Sequence, residues 1–125
     1  MQPLESMKVL VVEDEFLIAM DLELMLRKMG AADVRIELDI AGALTALRAK
    51  DLPDCAVLDI GFGAQSTEPV ADLLLHARVP FIFATGYGDT MRLPARFRAV
   101  PIVRKPLGAA DLEDAFIRVF AAARR

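Results

Sequence analysis

Apolar residues follow two rhythms along this chain. Short apolar runs stand at 8–12 (KVLVV), 55–60 (CAVLDI), 80–85 (PFIFAT) and 101–104 (PIVR), and they predict strands buried on both faces, as in a parallel sheet. A weaker run at 33–38, DVRIEL, predicts an edge strand. Between the runs the apolar residues take helical spacing. Ile18, Leu22, Met25 and Met29 line one side of a first helix that Gly30 can stop, and Ile40, Ala43, Leu44 and Leu47 follow Asp39, a good N-cap. Val70, Leu73, Leu74 and Ala77 form a third stripe, and Leu112, Ala115, Phe116, Val119, Phe120 and Ala123 form the last. The connection GYGDTMRLPARFRAV is the poorest helix, because Pro94 interrupts it and only Leu93, Phe97 and Met91 suit a core. A short or irregular element is expected there.

Five β-α units in succession imply an α/β fold: a parallel sheet with right-handed crossovers and helices on both faces. Composition agrees with one such domain. The 125 residues are 55% hydrophobic, enough for a sizeable core, and no repeat, low-complexity tract or linker divides them. A net charge of −3 gives no general attraction to nucleic acid or to an anionic membrane. That charge is uneven, with 6 Lys+Arg against 12 Asp+Glu in residues 1–62 and 9 against 6 in residues 63–125. The N-terminus lacks the pattern of an export signal and no window suits a membrane span, so a cytoplasmic protein is expected. The single Cys55 sits in an apolar run and reads as a small core residue, and His76 reads as a favourable charge near a helix C-terminus.

Ligands of parallel α/β sheets bind beyond the carboxyl ends of the strands, so the residues there carry the functional information. Glu13, Asp14 and Glu15 follow the first strand, Asp59 ends the third, Thr85 and Gly86 end the fourth, and Lys105 and Pro106 follow the fifth. Each has a bland explanation as a helix-terminus charge, a cap or a solvated cation. Together they describe one chemistry. Two unit charges about 4 Å apart repel by roughly 4 kcal/mol at an effective dielectric of about 20, so crowded acids call for a compensating cation. Carboxylates from adjacent loops are the ligands that Mg²⁺ prefers. A carboxylate beside such an ion can be the nucleophile toward a phosphoryl group, and a hydroxyl and a cation can hold the remaining charged oxygens. Thr85 and Lys105 are those two residue types.

On VLVVEDE, AVLDI, FATG and VRKP, in that order at strand ends, the chain resembles the receiver domain of two-component response regulators over residues 7 to about 122. The resemblance implies a flavodoxin-like (βα)5 three-layer sandwich with a five-stranded parallel sheet in the order 2-1-3-4-5. It implies a single receiver domain over 1–125, with 1–6 as a flexible N-terminal tail. Asp59 would be the phosphoacceptor. Asp14, Asp59 and the backbone carbonyl of Gly61 would hold Mg²⁺, or Mn²⁺ in its place, with Glu13 acting through water. Thr85 and Lys105 would stabilise the phosphoryl group and switch with it. Glu15 has no such role and favours the start of the first helix. The expected function is that of a single-domain response regulator, not a turnover enzyme. It would take its phosphoryl group from the phosphohistidine of a histidine kinase or a phosphotransfer protein and signal by contact with a protein target.

Three features depart from the common pattern. Ile102 stands where receivers often carry a switching aromatic, and the stretch after Asp59 lacks the usual Pro-Gly loop. PFIFATGYG resembles a subgroup of stand-alone receivers marked by Phe-Ala-Thr-Gly-Tyr, in which Tyr87 and its flanking Gly86 and Gly88 could replace the aromatic switch. Phosphorylation is then expected to draw Thr85 inward and order the 86–98 connection. Arg92, Arg96, Arg98, Arg104 and Arg118 form either a partner face or solvated surface. Three other readings stand beside this one. A pseudo-receiver would signal by contact without phosphate. A small Mg²⁺-dependent phosphohydrolase would want a second acid two residues after the nucleophile, where this chain has Gly61. A flavodoxin-like nucleotide or flavin binder would want a phosphate loop where three carboxylates stand.

Overall fold

Strands and helices alternate in the order β1 (Lys8–Val12), α1 (Phe16–Lys28), β2 (Asp33–Glu37), α2 (Ile40–Arg48), β3 (Cys55–Asp59), α3 (Glu68–His76), β4 (Phe81–Thr85), β5 (Ile102–Arg104) and α4 (Ala109–Ala123). Among the described residues between β4 and β5 lies a 3-10 turn, η1 (Ala95–Phe97). The computed structural model describes residues 2–49, 51–60, 66–86 and 93–123. All strand pairs are parallel and the sheet order is β2-β1-β3-β4-β5, which is the flavodoxin-like arrangement.

The apolar runs are buried on both sides because successive strand residues point to opposite faces. Val9, Val11, Cys55, Val57, Ile82 and Ala84 enter one core, beneath α1 and α4. Leu10, Val12, Ala56, Leu58, Phe81 and Phe83 enter the other, beneath α2, α3 and η1. The edge strand β2 pairs only with β1 among the described residues. Each helix then turns one stripe inward. In α1 that stripe is Ala19, Leu22 and Leu26, continued by Met29, while Ile18 and Met25 flank it half-buried. Asp39 caps α2 as expected, accepting from the Gly42 backbone N–H at 2.6 Å. Ala77 and Ala123 are exposed: Ala77 follows the end of α3 at His76, and Ala123 is the last residue of α4.

The N-terminal segment corrects the sequence reading. Residues 2–6 turn back over the end of α1 instead of trailing as a tail. Leu4 is fully buried among Val9, Leu22, Leu26 and Met29 in the first core. Its backbone N–H donates to the Met29 carbonyl at 3.0 Å, and that of Ser6 donates to Gly30 at 3.1 Å. Gly30 makes this possible twice over. Its φ of +102° turns the chain, and a Cβ there would lie 2.7 Å from Gln2 Cβ. One apolar residue at position 4, with no periodic neighbours, carries too little pattern to be read as core.

Candidate functional site

Strand register brings the polar strand ends together. Val12 pairs with Leu58, so Glu13 and Asp59 come next on adjacent strands. Asp59 pairs with Ala84, one residue before Thr85, and Thr85 pairs with Arg104, one residue before Lys105. The Lys105 backbone N–H closes this end by donating to the Thr85 carbonyl at 2.8 Å.

Glu13, Asp59 and Thr85 are buried, whereas Asp14 stands exposed at the rim. The Lys105 ammonium sits between the two buried acids, 2.9 Å from Glu13 Oε2 and 3.1 Å from Asp59 Oδ1. The other Glu13 oxygen accepts from the Glu15 backbone N–H at 3.2 Å. Glu15 itself occupies the N-cap of α1 without a side-chain capping bond. Alternation puts Asp59 on the α1/α4 side of the sheet and Thr85 on the other, where its hydroxyl approaches the Gly86 carbonyl at 3.5 Å.

The electrostatics follow from this crowding. Burial pushes the Glu13 carboxyl up, Lys105 partly opposes that and Asp59 adds to it, leaving Glu13 at about 7 rather than 4.5. Burial works to lower the Lys105 ammonium, but Glu13 and Asp59 outweigh it and hold it above its ordinary value. One oxygen each of Glu13, Asp14 and Asp59 lie within 4.8 Å of one another. Three hard oxygen donors from two adjacent strand ends suit Mg²⁺ or Mn²⁺, and their negative charge exceeds what one lysine balances.

Sequence reading assigned Lys105 to the phosphoryl group and Glu13 to a water-mediated role, and it missed their direct contact. No periodicity signals a pair 92 residues apart. Gly61, Tyr87, Gly88, Met91 and Arg92 lie outside the described residues, as do all of residues 87–92 of the 86–98 connection expected to respond to Thr85. The Lys105–Pro106 peptide bond is cis, with Pro106 exposed. The arginine cluster divides. Arg96 pairs with Asp72 and Glu68, and Arg118 pairs with Asp114, while Arg98 and Arg104 are exposed. Cys55 is fully buried, and burial, with Asp54 nearby, pushes its thiol up to about 12, consistent with an inert core residue. His76 ends α3 and is exposed, away from the acidic site. No described helix is long and apolar enough to cross a membrane.

No family model matches the chain. Among solved structures, SdrG from Sphingomonas melonis is 35% identical, with all of both chains covered and a TM-score of 0.74. The BeF3-activated conformation of SdrG from Pseudomonas melonis is 34% identical, covering 89% of this chain and 93% of that one with a TM-score of 0.71. A response regulator receiver protein from Sinorhizobium medicae, 23% identical over 96% of this chain and 98% of its own, shares the fold with a TM-score of 0.76. The phyllosphere-induced regulator PhyR of Methylorubrum extorquens is 29% identical over 107 residues, 84% of this chain. The chain spans 40% of PhyR's length.

Proposed function

This chain belongs to the receiver domains of response regulators, and from that premise we propose that it accepts a phosphoryl group on Asp59 and signals through protein contact. Family membership sets it among regulators and not turnover enzymes. The observation that carries the reading is the meeting of Asp59 with two acids and one lysine at a single sheet end. The Lys105 ammonium is 3.1 Å from Asp59, and the Glu13, Asp14 and Asp59 oxygens lie within 4.8 Å of one another.

In this reading an Asp59 carboxylate oxygen attacks the phosphorus of a phosphohistidine. The O–P bond forms as the P–N bond breaks, and the imidazole leaves with that electron pair. Lys105, already held in its charged form by Glu13 and Asp59, stays beside the transferring oxygens. The Thr85 hydroxyl, on the neighbouring strand, supplies a donor from the opposite side. Asp14, Asp59 and the Gly61 carbonyl would hold a divalent ion, with Glu13 completing its environment. When bound, that ion supplies positive charge that lets three acids and a phosphoryl group share one site. Glu13 keeps Lys105 aimed at Asp59 from its other side. The donor in this scheme is a histidine kinase or a phosphotransfer protein, and the exposed Arg98 and Arg104 are available to a protein target.

Intact mass after incubation with acetyl phosphate tests the proposal, with and without Mg²⁺, on the wild type and on Asp59→Asn. The expected result is one Mg²⁺-dependent phosphoryl adduct that is lost in the variant. No adduct, together with no Mg²⁺-dependent binding of beryllofluoride, would leave a pseudo-receiver that signals by contact alone.

A further inference from the structure

Two elements lead away from the acidic site on the same side of the sheet. Among the described residues, α3, which begins at Glu68, is the next element after Asp59, and η1 is the next element after Thr85. One side chain ties them. Arg96 Nε donates to Asp72 Oδ1 at 2.7 Å and Nη2 donates to Asp72 Oδ2 at 3.1 Å, a two-pronged contact. The same Nη2 reaches Glu68 Oε1 at 3.2 Å. Glu68 and Asp72 are four residues apart, so they stand side by side on one face of α3.

The grip continues inward. The Arg96 guanidinium lies over the Phe97 ring, 4.5 Å from its centroid. Phe97 is fully buried, edge-on to Phe81 at 6.4 Å and to Phe83 at 5.7 Å. The backbone bonds of η1 are local. Phe97, Arg98 and Val100 donate to Pro94, Ala95 and Phe97, which shapes the turn without fixing it to the domain. Attachment therefore comes from side chains: Phe97 on the inside, with Leu93 and Val100 packed against the same core, and Arg96 on the outside. A planar fork on two acids, backed by an aromatic ring, is the surface arrangement that holds geometry where an isolated ion pair does not.

We infer that Arg96 is a latch that joins α3 and η1 into one body, so that a displacement of either element is passed to the other. The source of that displacement rests on the proposed phosphoacceptor function. The latch itself rests only on the contacts above. A lysine at 96 would serve only in part, because a point charge cannot make the two-pronged contact.

Amide hydrogen exchange tests this in two arms. In the ion-free protein, Arg96→Ala should speed exchange at Phe97, Arg98 and Val100 by about fivefold to tenfold, and Arg96→Lys should recover only part of the protection. The double substitution Glu68→Gln with Asp72→Asn should match Arg96→Ala and add nothing to it. Unchanged exchange in Arg96→Ala overturns the latch. In the second arm Mg²⁺ and beryllofluoride are added. Wild-type protection should change in α3 and in 95–100 together, and in Arg96→Ala in only one of them. A wild-type change in one without the other overturns the coupling. No change anywhere in the second arm would count against the phosphoacceptor function, while the first arm still decides the latch.

Discussion

Replacing Asp59 by Asn should stabilise the ion-free protein while removing most of its response to Mg²⁺. Three acids and one lysine share the site, a formal charge of −3 + 1 = −2. With oxygens within 4.8 Å, Asp59 is repelled by Glu13 and by Asp14 by about 3.5 kcal/mol each at an effective dielectric of about 20. Lys105 at 3.1 Å returns about 5 kcal/mol on the same scale. These three pairs leave about 2 kcal/mol of net repulsion at Asp59, and removing its charge relieves it. Asn keeps the shape and an acceptor for Lys105 without the charge. Thermal unfolding at pH 8 in EDTA should therefore show the variant about 1–2 kcal/mol more stable, roughly 3–10 °C higher in Tm for a chain of this size. Mg²⁺ at about ten times its Kd should raise the wild type by about 1.4 kcal/mol and the variant by much less, so that the gap closes. A variant that is less stable in EDTA, or that gains as much from Mg²⁺, would refute the charge-crowding argument.

The ion-free wild type should lose stability as pH rises from about 4.5 to about 7. Glu13 there keeps a proton that the unfolded chain has already released, so its stabilising contribution is full below 4.5 and gone above 7. In Asp59→Asn that slope should flatten, and urea titrations at pH 5, 6, 7 and 8 would show whether it does. Leu4→Ala should lower stability by about 2–5 kcal/mol, the range for a fully buried leucine, and a chemical-denaturation change below 1 kcal/mol would mean that residues 2–6 are not part of the core. Cys55 should resist a thiol reagent at pH 8 in the native state and react fully in denaturant, since it is both buried and held protonated. Rapid native labelling would contradict that placement.

The receiver fold was legible because both of its signals are local. Apolar runs such as Cys55–Leu58 read as strands buried on both faces, and the stripes of α2 and α3 need only the 3.6-residue period to be seen. The site was legible in its members for a related reason: parallel sheets send every strand end to the same side, so Glu13, Asp14, Asp59, Thr85 and Lys105 had to approach one another once the strands were placed. Contacts between specific atoms were not. Which acid Lys105 meets depends on strand register and side-chain alternation, and these are fixed only when the whole sheet forms. Arg96 read only as one of a basic cluster, either partner face or solvated surface, because its partners, Glu68 and Asp72, lie 28 and 24 residues away on another element. Leu4 read as tail because one buried residue has no period. Sequence determined the elements and the residue types at the strand ends, both of which follow from short-range geometry. Tertiary structure decided the pairings, because an ion pair or a buried plug is selected by burial and distance between segments that share no local pattern.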